Sequence, residues 1–213
     1  MRDEILRFVR EHGISEVVHF TTNCGLVGIL ATDALACRDK LNENNYLEKV
    51  LLLNCPSRKD LDWTGYVNMS ISVVNSRMFG YSLGWHDTER VWWAVLSFTP
   101  DILADDGVWF TTTNNTYTDT VRRGQGLAGL KDLYSEAIPW GYRGSVSRRG
   151  PGHPADRPTN DQAEVLYPGA VSLAKLQAIY VRREEHLDEI EGLIAALPAA
   201  RRVPVSYRPE VFQ

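Results

Sequence analysis

The ten residues "VWWAVLSFTP", positions 91–100, constrain the fold more than any other stretch, since seven of them are aromatic or aliphatic and Pro100 ends the run. A short apolar run closed by a proline predicts a central strand, with at least one of Trp92 and Trp93 in the core. Such a strand needs partner strands at its edges and packed layers above and below it. The rest of the chain supplies candidates. "SEVVHFTT" (15–22) predicts a strand with Val17, His19 and Thr21 on one face and Val18 and Phe20 on the other. "VLLLN" (50–54) predicts a buried strand, "GVWFTTTN" (107–114) a strand or extended edge, and "AEVLYPG" (163–169) another strand.

Helical spacing of Ile5, Leu6, Phe8 and Val9, with Gly13 as a stop, predicts a helix over residues 2–11. "NCGLVGILATDAL" predicts a second helix opened by Asn23 as N-cap. "TGYVNMSISVVNSRMF" reads as an extended stretch passing into a short helix, "SLAKLQAIYV" as a helix-like segment ending near a strand, and "REEHLDEIEGLIAAL" as a surface helix with a solvated acidic face. Helices and strands are mixed without regular βαβ alternation, which predicts an α+β fold. No GxGxxG or GxxxxGK follows a strand, so a Rossmann or P-loop nucleotide site is not expected.

Length and composition bound the rest. A chain of 213 residues, 44% hydrophobic and 23% charged, predicts one globular domain over residues 1–213. The net charge of −4 argues against holding nucleic acid by bulk electrostatics, though a local basic groove remains compatible with it. Cys24, Cys37 and Cys55 form no CxxC pair, so neither a disulfide framework nor a zinc site is expected, and a reducing cytoplasm fits. His86 and His153 lack metal-ligand spacing. No run approaches the ~18 apolar residues of a membrane span.

Residues 140–160, "WGYRGSVSRRGPGHPADRPTN", predict a loop longer than usual connections, and long loops in compact domains are often functional. Arg143, Arg148, Arg149 and Arg157 stand there against a single acidic residue, Asp156, with Trp140 and Tyr142 nearby. Two accounts are open: a solvated flexible loop, or phosphate contacts by the arginines with bases stacked on the aromatics. Asn114, Asn115 and Tyr117 likewise belong either to an Asx-bonded turn or to a site.

After the loop comes "NDQAEVLYPG". On a strand, residues two apart share a face, so Gln162 and Glu164 would project together while Ala163 and Val165 face the core. The plain alternative is a strand edge with two solvated polar side chains. The chemical reading draws on His19 and Thr21, which share a face and can hydrogen-bond the amide and hydroxyls of a nucleotide. A carboxylate beside a ribose can hold its 2′-hydroxyl and stabilise positive charge at the anomeric carbon.

Five segments, "HFTTNCGLVGIL", "CPSRKD" with Arg58, "GYVNMSISVVN", "FTTTNN" and "QAEVLYPG", resemble in order those of ADP-ribosyltransferases, and more narrowly of the DarT family of DNA ADP-ribosyltransferase toxins. The resemblance implies a mostly antiparallel split β-sheet flanked by helices, with NAD⁺ as co-substrate and no metal. It implies that His19 and Thr21 hold the nicotinamide end, with Asn23, Gly25 and Tyr66 also on the NAD⁺ side. Glu164 would be the catalytic glutamate, Arg58 would help bind NAD⁺ and assist the modified base, and Gln162 would face the acceptor. The implied acceptor is single-stranded DNA, and the implied partner is a macrodomain antitoxin, a DarG-like ADP-ribosylglycohydrolase, acting on a monomeric toxin.

One departure separates two branches. The thymine-modifying branch carries a segment of the "YVPFYF" kind where this chain reads "YVNMSISVVN", which is more similar to the guanine-modifying branch. Guanine is therefore the expected base and thymine its nearest rival. Transfer to RNA or protein is a further reading, since arginines suit DNA and RNA equally. A binding module without chemistry is another, although a pure binder needs no carboxylate at the ribose.

Overall fold

A computed structural model of the chain describes residues 2–43, 61–84, 90–141, 143–197 and 202–212. The strand expected at residues 50–54, Arg58 and Tyr142 lie outside the described residues.

The apolar run opens as strand β4 (Trp93–Phe98), with Ala94 through Phe98 buried. It sits inside an eight-stranded sheet whose other members are β1 (Val17–Thr22), β3 (Tyr66–Ile71), β5 (Trp109–Thr111), β6 (Arg123–Gln125), β9 (Glu164–Pro168), β11 (Leu176–Val181) and β12 (Val205–Tyr207). The order is β12-β11-β4-β1-β3-β9-β5-β6, antiparallel throughout except for the β11–β12 pair. Two-stranded sheets add β2 (Ala34–Ala36) with β10 (Ala170–Ser172) and β7 (Ala137–Trp140) with β8 (Ser145–Arg148). The α+β expectation holds.

Alternation along β1 and β4 assigns their two faces to two cores. Val17, Ala94, Leu96 and Phe98 join the larger one, which receives α1 (Arg2–Glu11) through Ile5, Phe8 and Val9 and α2 (Asn23–Thr32) through Leu26, Ile29 and Leu30. Val18, Phe20 and Val95 join the smaller one, with Phe79 from α3 (Ser76–Leu83) and Phe212 near the C-terminus. Both faces of β4 are thus covered, which is why it reads as an unbroken apolar run.

The sheet splits in one place. Strand β1 pairs with β4 along six residues but with β3 at only two, Val17↔Ile71 and Val18↔Ser70, while β3 turns its residues Tyr66 to Met69 to β9. From His19 onward the β3-facing edge of β1 is open, and the halves β12-β11-β4-β1 and β3-β9-β5-β6 part there.

Several expectations are corrected. Thr22, rather than Asn23, caps α2, since its hydroxyl accepts from the Gly25 N–H at 3.1 Å. Residues 140–160 are no uninterrupted loop, because β8 folds back on β7 as a hairpin. The segment "SLAKLQAIYV" is a 3₁₀ turn (Leu173–Lys175) followed by β11, where pairing with β4 overrides its helical spacing. Helices α4 (Gly126–Asp132) and α5 (Glu185–Ala196) complete the described helices; α5 is the expected surface helix and buries His186 and Ile190. Among the described residues no helix is long and apolar enough to cross a membrane.

Candidate active site

Glu164 is the first residue of β9 and only 7% exposed. A buried carboxylate requires donors. It has them: Oε2 accepts the backbone N–H of Asn115 at 2.9 Å, and Oε1 accepts Nδ2 of Asn114 at 3.4 Å. Asn114 and Asn115 stand just past β5, which pairs with β9 so that Thr111 lies opposite Glu164. The Asx turn left open by the sequence exists, because the Thr116 N–H donates to Oδ1 of Asn114 at 3.0 Å. The same asparagine also serves the carboxylate.

Behind this pair stands Arg123, directly opposite Thr111 on β6. Its Nε donates to Oδ1 of Asn115 at 2.6 Å and its Nη2 to the Asn115 carbonyl at 2.9 Å, while its guanidinium lies 5.5 Å from the centre of the Trp63 ring. Neither Arg123 nor Trp63 carries a sequence signal, since only the strand register brings them here.

Gln162 is equally buried, at 7% exposure, but precedes the strand. A turn around buried Asn160 sets its position rather than the pleat: Asn160 Oδ1 accepts the Gln162 N–H at 2.8 Å and the Asn160 carbonyl accepts the Ala163 N–H at 3.0 Å. Gln162 Oε1 accepts the Tyr117 hydroxyl at 3.3 Å. Tyr117 in turn lies 6.4 Å from the Trp140 ring, over which Arg77 stacks at 5.0 Å. Trp140 therefore belongs to the Gln162 side of the site, together with Tyr117, which the sequence left open between a turn and a site, and Arg77, which the sequence did not single out.

His19 stands where the sheet parts. Its Nδ1 lies 2.8 Å from the Asn68 carbonyl, which can only accept, so Nδ1 carries the proton. Burial pushes the imidazole below its ordinary 6.5, partly offset by that bond. At neutral pH the ring is neutral and Nε2 is an acceptor. Thr21, two residues on, is buried, and Gly25 lets α2 approach it: a Cβ at Gly25 would lie 2.2 Å from Thr21 Oγ1. Asn23 is tied to the chain before β4, its N–H to the Trp92 carbonyl at 2.9 Å and its Nδ2 to the Arg90 carbonyl at 3.0 Å. Tyr66 lies opposite Pro168, four residues along β9 from Glu164, or roughly 13 Å by strand rise. It packs at 5.2 Å against Trp63.

The arginines separate into two kinds. Arg143, Arg148 and Arg157 are exposed. Arg149 is half-buried and bonded within its own segment: Nη1 donates to the Arg157 carbonyl and Nη2 to that of Pro154, both at 2.9 Å, over the Tyr134 ring at 5.3 Å. It ties residues 149–159 together, and Tyr134 joins them to the body of the protein by lying under the guanidinium and donating to the Asp156 carbonyl at 3.2 Å. Among the described residues no group of three or more His, Cys, Asp or Glu is placed to hold a metal.

The split, mostly antiparallel sheet with helices around it is an α+β fold that matches ADP-ribosyltransferase-like structures. The family model described as "ssDNA thymidine ADP-ribosyltransferase, DarT" matches residues 18–213, and the chain belongs to the DarT family. Membership makes it an NAD-dependent DNA ADP-ribosyltransferase. Similar solved structures include DarT of Thermus sp. 2.9 in complex with NAD⁺, at TM-score 0.62 and 19% identity, over 93% of this chain and 98% of that one. The same protein in complex with ADP-ribosylated ssDNA gives 0.63 and 18%, over 94% and 97%. DarTG of Thermosipho africanus in complex with ADP-ribose gives 0.61 and 15%, over 93% of this chain and 51% of that one. No curated protein sequence matches the chain.

Proposed function

We propose that residues 1–213 act as one monomeric domain that transfers ADP-ribose from NAD⁺ to a guanine of single-stranded DNA and releases nicotinamide. The observation that carries this reading is the buried Glu164 carboxylate, fixed by Asn115 and Asn114 on β9, next to β3, whose Asn68 carbonyl meets His19. Glu164 holds the 2′-hydroxyl of the nicotinamide ribose and stabilises positive charge at C1′. Neutral His19 accepts a hydrogen bond at Nε2 from the nicotinamide end, beside Thr21, and Asn23, Gly25 and Tyr66 contribute to the NAD⁺ side. The C1′–N bond breaks with its electron pair leaving on nicotinamide. A base nitrogen forms the new C1′–N bond and gives up its proton to the carboxylate. Arg58 assists donor and base.

Gln162, with Tyr117 and Trp140, receives the base. Exposed Arg143, Arg148 and Arg157, together with Tyr142, hold the strand. A base in a duplex is stacked and paired, so single strands react. The preference for guanine rests on "YVNMSISVVN", which forms β3 and leads into the Asn75 cap of α3. Thymine is the second reading, favoured by the description of the matching family model. Transfer of this kind damages the cell's own DNA, so the chain is a toxin acting in the cytoplasm. Its counterpart is a macrodomain antitoxin that removes ADP-ribose, in keeping with a DarTG chain about twice the span of the match that binds ADP-ribose.

The test is labelled NAD⁺ with four single-stranded oligonucleotides, each lacking one base. Loss of label only without guanine supports the proposal, and loss only without thymine moves the chain to the second reading. Label on RNA or protein alone would overturn the DNA acceptor.

A further inference from the structure

Resting on the role given to Glu164, we propose that Arg123 is a positioning residue that sets the catalytic carboxylate through Asn115. A guanidinium has donors only, so its bond from Nε fixes the Asn115 amide with Oδ1 toward Arg123, and its bond from Nη2 fixes the carbonyl of the same residue. Side chain and main chain of Asn115 are therefore clamped at two points. Asn115 is 1% exposed, and its clamped backbone aims the N–H at Oε2 of Glu164. Register closes the arrangement, since Arg123, Thr111 and Glu164 stand opposite one another on β6, β5 and β9 and so share a face. The Trp63 ring backs the guanidinium. Removing Arg123 lets Asn115 turn its N–H away and takes from Glu164 the shorter of the two bonds from Asn115 and Asn114. Such misplacement slows a chemical step more than it weakens substrate binding.

The experiment is a double-mutant cycle on the full chain with Arg123→Met, Asn115→Ala and both together, plus Arg123→Lys and Arg122→Ala. Nicotinamide release from NAD⁺ in the presence of a reactive oligonucleotide is followed, and the thermal midpoint of each variant is recorded. Arg122, whose Nη2 meets only Ser135 among the described residues at 3.3 Å, should leave kcat unchanged. Arg123→Met should lower kcat ten- to hundredfold with KM for NAD⁺ within threefold of the parent. Arg123→Lys, which keeps the charge but has one nitrogen where Nε and Nη2 make separate bonds, should fall between. The double variant should be no slower than the slower single one, because both act through the same N–H. If Arg123→Met misfolds, the Lys variant and Asn115→Ala carry the test, and a kcat equal to the parent in both overturns the proposal. Multiplying effects, or a midpoint that drops while kcat holds, overturn it as well. If Glu164→Gln turns over at the parent rate, the role of Glu164 fails; if that variant is dead while Arg123→Met is fully active, only the role of Arg123 fails.

Discussion

The Asn115 N–H meets Glu164 Oε2 at 2.9 Å, joining a residue just past β5 to the head of the strand paired with it. The carboxylate is thus positioned by a main-chain N–H whose direction depends on the bonds from Arg123 to the Asn115 side chain and carbonyl. Asn114→Ala, which removes the longer 3.4 Å bond to Oε1, is expected to slow transfer less than Asn115→Ala. Rates of the two variants at saturating NAD⁺ check the order.

His19 gives the molecule a pH dependence of defined sign. Its pKa is lowered on folding by burial, so just below 6.5 the unfolded chain binds the proton that the folded chain refuses. Stability is therefore full above 6.5 and falls as pH drops toward the folded value. His186, also lowered by burial, acts in the same direction. His19→Gln should lose less stability than the parent between pH 7.5 and 5.5, as read from urea midpoints at both values. An equal loss in the two proteins would count against a His19 whose pKa is lowered on folding.

Gly25 lets α2 lie close to β1. Gly25→Ala places a methyl 2.2 Å from Thr21 Oγ1 and should cost about 1–3 kcal/mol of stability. Adding Thr21→Ala removes the clash and should recover most of the loss in urea denaturation. This separates packing from any part that either residue plays toward NAD⁺.

Salt dependence distinguishes the arginines. Arg143→Ala, Arg148→Ala and Arg157→Ala should each weaken DNA binding and reduce the slope of log K against log salt by roughly 0.7. Arg149→Met should leave that slope unchanged, since its guanidinium is spent on the Arg157 and Pro154 carbonyls, but should raise KM for the oligonucleotide by loosening residues 149–159. Fluorescence anisotropy of a labelled strand across a salt series measures both.

The parts legible in the sequence were those set by local pattern. The apolar run of β4, the spacing in α1 and the alternation in β1 each follow from side-chain periodicity within a few residues. Strand β11 was not legible as a strand from its start, because pairing with β4 decides it. Three-residue strands such as β2 and β6 are too short for a periodic signal, whereas β5 falls within the stretch expected at 107–114. The site divides the same way. Glu164, His19 and Gln162 stood out as polar residues in or beside apolar strands. Arg123 did not, because its bond to Asn115 depends on register between strands.

The central claim is that the Glu164 carboxylate carries ADP-ribose transfer. The most direct test compares the parent with Glu164→Gln for label transferred from NAD⁺ to a single-stranded oligonucleotide, with circular dichroism confirming that the variant is folded. Glutamine keeps the acceptor oxygen for Asn115 and removes the charge, so the expected result is a folded protein whose transfer rate falls by about 10²–10³-fold or more. A folded variant that transfers label at the parent rate would contradict the account.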